Sequence, residues 1–318
     1  MELKFWGTRG SIPAPLTIED ISGKILGAIS LANGIVFKSD DEIRNFIDTQ
    51  LPFSIKGYYG TNTSCVEILD SPDNIVILDS GSGIRNLGQD LMMRYSHGKM
   101  PAIHIFLSHL HWDHIQGFPF FLPAYMKDTE INIYGYHDSI ENAFRTQQQE
   151  PFFPVQLNDL KANIIFHKLD INKPVSIADY KINGIEQNHP GISYGYGFEK
   201  DGIKIVYSTD SEHKADMSSD EYPFIEFFKN ADALVFDAQY IFLDSVSDKE
   251  DWGHSSNVVG VDLSIRANVR NLFLFHTEPT DSDSMLEDTL NKTRHYAGSV
   301  SDKLNIHLAY DGLVYKLN

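Results

Sequence analysis

Short runs of apolar residues, bounded by turn residues, recur along this 318-residue chain. They predict strands at ELKFWG (2–7), TSCVEILD (63–70), NIVILDSG (74–81) and AIHIFLS (102–108). Pro72, Asp73 and Asn74 form a turn, so the second and third of these read as a hairpin. Further strands are predicted at 131–136, 164–169, 180–189, 193–200, 203–210, 231–240, 271–277 and 305–312. Helical spacing appears at 17–31, 39–50, 83–95, 255–269 and 283–298. Thr17 with Asp20, and Ser39 with Glu42, have capping-box spacing at the first two of these. Hairpins dominate the predicted first half, and strand–helix alternation the second. With no repeat and no linker-like stretch, residues 1–318 read as one domain with sheets inside and helices outside.

Composition narrows the class. Lys and Arg number 26 against 44 Asp and Glu, so the net charge is −18. Nucleic acid binding rests on basic surface, so this charge argues against nucleic acid as a general partner. No apolar stretch is long enough to span a membrane, and GKILGAISLANGIVF is broken by Lys24 and Asn33. MELKFWGTRG lacks the order of a signal peptide, so the expected location is cytoplasmic. The single cysteine, Cys65, is expected to be a buried structural thiol.

The chemistry is concentrated in HLHWDHIQG, residues 109–117, which places His109, His111, Asp113 and His114 within six positions. Alternation along an extended chain lets His109 and His111 point the same way, with Leu110 turned into the core. Asp113 and His114 lie past the bend, where a helix starts, and can face a second ion. Imidazoles with carboxylates suit zinc first, and also manganese or iron. His189, Asp210 and His276 each stand where a predicted strand stops. Alpha/beta proteins gather their sites at such ends.

With these residues the sequence resembles the metallo-beta-lactamase-fold hydrolases, from FWGTRGSIP to the closing strand. The resemblance implies an α+β four-layer αββα sandwich, two mixed sheets flanked by helices. It also implies two divalent transition-metal ions. One would be held by His109, His111 and His189, the other by Asp113, His114 and His276, with Asp210 bridging. Asp79 in ILDSGSG would orient a ligand from behind. WGHSS (252–256), GTNTSC and FHTEP are similar to the branch containing RNase Z and the phosphonate-pathway phosphodiesterase. There a histidine ahead of the last ligand contacts the scissile phosphate, and His254, 22 residues before His276, matches it. Ser255 and Ser256 open a helix whose start can hold a phosphate oxygen. Asp237 in FDAQY stands either behind the ligands or in a structural salt bridge or cap. Tyr240, Phe118, Phe120 and Phe121 line either the pocket or the core.

The function this implies is hydrolysis of a small phosphodiester, or a cyclic nucleotide, by a metal-bridging hydroxide. Asp113 and Asp210 would serve the metals, and His254 would protonate the leaving oxygen or hold the phosphate. The alternatives are attack on a lactone, thioester or amide carbonyl, or a non-catalytic binding module on the same fold. Residues 16–56 exceed the expected spacing between GSIPAP and GTNTSC. They would be a lid over part of the site's mouth, an element of a homodimer, or an idle insertion. No long basic Gly/Pro-rich arm appears of the kind RNase Z uses to grip tRNA, which argues against tRNA processing.

Overall fold

The computed structural model describes residues 1–219, 221–240 and 251–317. Two seven-stranded mixed sheets form its centre. The first is built from β1 (Glu2–Gly7), β2 (Cys65–Leu69), β3 (Asn74–Leu78), β4 (Ala102–Phe106), β5 (Glu130–Gly135) and β6 (Asn163–Lys168). The second runs from β7 (Val175–Ile177) through β8 (Tyr180–Gln187), β9 (Ser193–Lys200), β10 (Ile203–Ser208), β11 (Ala233–Asp237) and β12 (Asn271–Phe275) to β13 (Asn305–Leu308). The chain then returns to the first sheet, where β14 (Val314–Lys316) pairs with β1.

Side-chain alternation explains the layering. In β12, Phe273 and Phe275 face the other sheet while Leu272 and Leu274 face helices. In β2, Val66 and Ile68 face inward and Cys65 outward, where burial pushes its thiol pKa up. Aromatic rings join the sheets: Phe5 of β1 lies 5.4 Å from Phe273, and Phe106 of β4 lies 5.1 Å from Phe198 of β9. The first sheet's outer face is covered by α4 (Ile84–Arg94), α5 (Trp112–Ile115) and α6 (Ile140–Gln147). The second sheet's is covered by α7 (Pro223–Phe228), α8 (Asn257–Arg266) and α9 (Asp283–Val300). The result is helix–sheet–sheet–helix, the expected fold class. The distribution of hairpins differs from the reading of the pattern. β3 to β6 of the first half pair in parallel, whereas β7 to β10 of the second half form an antiparallel meander.

The segment 16–56 forms α1 (Ile18–Leu31), α2 (Asp40–Gln50) and the single turn α3 (Phe53–Lys56). Thr17 and Asp20 make the reciprocal capping box. At Ser39 only half forms, because the Glu42 carboxylate accepts from Lys38 N instead. The base of the segment is fixed to α9. Glu287 accepts from the backbone N–H of Phe53 and Ser54, and Lys24 donates to Asp283 and to the carbonyls of Ser54 and Gly57. Neither α1 nor α2 buries any residue. Among the described residues, no helix is long and apolar enough to cross a membrane.

His213 is buried beneath this second sheet, stacked on Phe236 at 5.4 Å with Nδ1 on the Tyr222 hydroxyl. Burial pulls its pKa down from 6.5 to about 3. The unfolded chain therefore binds a proton that the folded chain refuses. Stability is full above about pH 6.5 and is lost as pH falls toward 3, by up to roughly 1.4 kcal/mol per pH unit from this residue. Urea unfolding of the parent should weaken between pH 6.5 and 4.5, and His213→Phe should flatten that slope. Equal slopes in both proteins would contradict this account.

Candidate metal centre

The sequence-predicted residues converge at one end of the sandwich, where the parallel strands of both sheets stop. His109, His111, Asp113 and His114 follow β4; His189 follows β8, Asp210 follows β10 and His276 follows β12. Asp79, Asp210 and His276 have left-handed backbone, with φ of +59°, +53° and +59°. Non-glycine residues adopt it at a cost of ~1–3 kcal/mol each, a strain typical of functional sites. Glycines permit the close approach. A methyl group on Gly10 would lie 2.5 Å from His276 Nδ1, and one on Gly253 2.4 Å from His189 Nδ1. This accounts physically for the glycines in GTRGS and WGHSS.

Two donor clusters result, and within each the candidate ligand atoms lie within 4.8 Å of one another. The first is His109, His111 and His189; the second is Asp113, His114, Asp210 and His276. Asp210 stands between them. Its Oδ2 is 3.7 Å from His109 Nε2, 3.8 Å from His189 Nε2 and 3.4 Å from His276 Nε2, and its Oδ1 is 3.3 Å from His114 Nε2. Leu110, expected in the core, is half-buried and lines the cavity above these groups.

The far nitrogen of nearly every ring is anchored. His114 Nδ1 meets Asp79 at 2.8 Å, His189 Nδ1 meets the Gly253 carbonyl at 2.9 Å, and His276 Nδ1 meets Gln239 Oε1 at 3.0 Å. These partners are acceptors, so each Nδ1 carries a proton and each Nε2 is turned inward toward the Asp113 and Asp210 carboxylates. His109 Nδ1 reaches Ser108 Oγ, which itself donates to Asp79. Asp79 also accepts from Ser108 N and the Tyr207 hydroxyl. Asp113 accepts from Ser11 N at 2.7 Å.

The charges and donor atoms suit a cation. Burial alone would raise the pKa values of Asp113 and Asp210, but the His114 charge holds both well below the usual range. Burial alone would lower His114, and the carboxylates of Asp210, Asp113 and Asp79 raise it well above normal instead. Burial lowers the pKa values of His109, His111 and His189. His109 Nε2 is buried with no hydrogen-bond partner. A buried lone pair without a donor, among imidazoles and two carboxylates, is what a divalent cation satisfies. The residues present fit two such ions.

His254 stands at the same cavity, stacked on His276 with ring centres 5.1 Å apart. Its Nδ1 is 2.9 Å from Asp237 Oδ2. Burial works to lower its pKa, and the Asp237 carboxylate overrides this and lifts it to about 9. Asp237 in turn accepts from Ser211 N and Gln239 N. Of the two roles left open for Asp237, the structure gives it this contact behind His254. Ser255 and Ser256 do not line the cavity: Ser255 Oγ donates to Ser211 O, and Ser256 Oγ caps α8. Phe118 and Phe121 are core residues, and Tyr240 is buried with its ring 5.8 Å from that of His254. Phe120 lines a neighbouring cleft instead. The cavity measures about 440 Å³ and is lined by Ser11, Leu110, Trp112 and, of the site residues, His111, Asp113, His189, Asp210, His254 and His276, with nothing from 16–56. Sequence reasoning missed Gln239, Ser108, Tyr207 and Ser11. Ser108 and Gln239 had only adjacency to His109 and Asp237 as a signal, and Ser11 acts through its backbone.

The beta-lactamase superfamily domain matches residues 74–277, more than half of the chain. The chain belongs to the beta-lactamase superfamily. Within this superfamily it is similar to the ribonuclease Z of Picrophilus torridus, at 26% identity over 259 residues, 64% of this chain and 77% of that one. Human tRNase Z, short form, superposes with a TM-score of 0.61 at 17% identity, covering 100% of both chains. A diphosphatase of the PhnP family does so at 0.61 and 15%, covering 100% of this chain and 98% of that one. The resemblance to the ribonuclease Z branch is thereby borne out, and the solved structures share the fold.

Gln239 supplies the test of the anchoring. Gln239→Leu removes the acceptor that orients His276, so metal affinity should fall about 10–100-fold. Competition against a chromogenic chelator measures this. An unchanged affinity in a folded variant would show that His276 needs no such anchor.

Proposed function

We propose that this protein is a cytoplasmic, metal-dependent hydrolase of a small phosphodiester. The observation that carries the reading is the His254–Asp237 pair, set into the wall of the cavity that both donor clusters share. His109, His111 and His189 would hold one divalent ion. Asp113, His114 and His276 would hold the other, with Asp210 between. Two such ions, when bound, would lower the pKa of a water shared between them and draw off charge from the non-bridging phosphate oxygens.

The rest of the work falls to side chains. Asp237 accepts from His254 Nδ1, which leaves Nε2–H as the donor toward the cavity. As the water oxygen bonds to phosphorus and the P–O bond to the leaving group breaks, that proton passes to the leaving oxygen, and the proton given up by the attacking water returns to His254. Water and diester become monoester and alcohol. Asp237, fixed by two backbone N–H groups, holds the imidazole in line and stabilises its charged form before transfer. Zinc suits the imidazole-rich first cluster, and manganese or iron would suit the carboxylate-containing second.

Substrate size follows from the surroundings. Among the described residues no Lys or Arg lines the cavity, and the chain carries −18 overall. An RNA backbone would meet little attraction here. The curated relative is named ribonuclease Z, so RNA is the competing substrate and belongs in the test. On metal-loaded protein, His254→Ala should keep its metal. It should lose roughly 10²–10⁴-fold on diesters with an alkoxide leaving group, and far less with p-nitrophenolate. Parental rates for the variant on every diester would falsify the role of His254. Faster turnover of a 3′-extended RNA than of any small diester would overturn the substrate size.

A further inference from the structure

A second cleft, of about 530 Å³, adjoins the cavity and shares Leu110 and Trp112 with it. Its other walls include Phe120, Phe152 and Phe153. Trp112, Phe152 and Phe120 are 74%, 67% and 54% exposed, unusual for three large rings around one hollow. Phe120 and Phe153 meet edge-to-face at 5.4 Å. Among the described residues no Asp, Glu, Lys or Arg lines the cleft, which suits an uncharged occupant. It contains none of His189, His254 and His276, so it opens from the wall of Leu110 and Trp112.

We infer that this cleft is the subsite for the ester group that the reaction retains, and that this group carries a planar aromatic ring of nucleobase size. The inference rests on the phosphodiester reading, in which His254 serves the departing oxygen on the other wall. A ring sandwiched among exposed aromatics gains stacking on the order of 10- to 100-fold in binding.

Three diesters with one leaving group, p-nitrophenolate, provide the test: the retained group is methyl, phenyl or thymidine 5′. The parent's kcat/KM should be on the order of 10- to 100-fold higher for phenyl and thymidine than for methyl. Phe152→Ala and Phe120→Ala should remove most of that gain through KM and leave the methyl diester unchanged. Equal kcat/KM for all three, or variants that slow all three alike, would overturn the subsite. Should no diester be hydrolysed, the reaction itself fails, and the cleft is read by binding. Saturable quenching of fluorescence by thymidine 5′-monophosphate, lost in Trp112→Phe, would uphold it, and absent quenching would overturn it.

A different observation carries a second inference. Eleven large apolar side chains between Leu16 and Ile47 stand exposed, from 38% at Leu16 to 83% at Val36. Summed over α1, the turn after it and α2, they present on the order of 1,000 Å² of apolar surface, near the ~800 Å² that each partner of a standard interface buries. A 14-residue helix with no buried face is marginal in water, so α1 needs a cover. From Ser22 to Phe37 the only charge is Lys24, already committed to Asp283. We propose that the cover is the same face of a second copy of this chain. A membrane surface fits poorly, since the first turn of α1 is acidic and carries none of the Lys and Arg of interfacial helices. Sedimentation equilibrium should give a dimer for the parent and monomers for Leu26→Glu and Ile29→Glu, with circular dichroism that loses no more than the helical signal of α1. A monomeric parent, variants that remain dimeric, or a monomer that floats with phosphatidylglycerol vesicles would each overturn it.

Discussion

Everything at the centre of this molecule depends on one constraint: the Asp210 carboxylate is fully enclosed, with four imidazoles within 4 Å of its oxygens. Burying a carboxylate costs several kcal/mol unless a cation meets it. Asp113 adds a second such charge, 3.1 Å from His276. The fold answers by ending strands of both sheets at the same place, so that rings arrive from opposite sides. The inter-sheet aromatic core of Phe5, Phe106, Phe198 and Phe273 keeps those ends in register. The outer helices bury the backs of the sheets and leave the strand ends free for chemistry.

What could be read from the sequence is what lies close together in it. HLHWDHIQG announces its ligands by density, and the single residues at strand ends follow from the strand pattern. The anchors behind them could not be read, because they meet across long separations. Gln239 reaches His276 over 37 residues, Gly253 O reaches His189 over 64, and Ser11 N reaches Asp113 over 102. The three-residue strands β7 and β14 and the short helices α6 and α7 gave too short a pattern to be named. The segment 16–56 shows both sides of the same limit. Its caps are local and the box at Thr17 formed, whereas the face its helices bury depends on tertiary contact, and they bury none.

The site divides its labour by wall. Imidazoles and carboxylates line the floor, where a divalent pair would sit. His254, held by Asp237, occupies one side, and the uncharged aromatic cleft opens from the Leu110–Trp112 side. Strongly polar chemistry and weakly polar recognition thus meet at two shared residues. Surface segments such as 16–56 are where chains of one fold can differ from one another.

Anomalous diffraction from crystals grown with zinc or manganese tests the central claim most directly. The account predicts two peaks per chain flanking Asp210, one within bonding distance of His109, His111 and His189, the other of Asp113, His114 and His276. No peak would contradict it. So would a single ion held instead by His189, Asp210 and His254, whose ligand atoms also lie within 4.8 Å of one another.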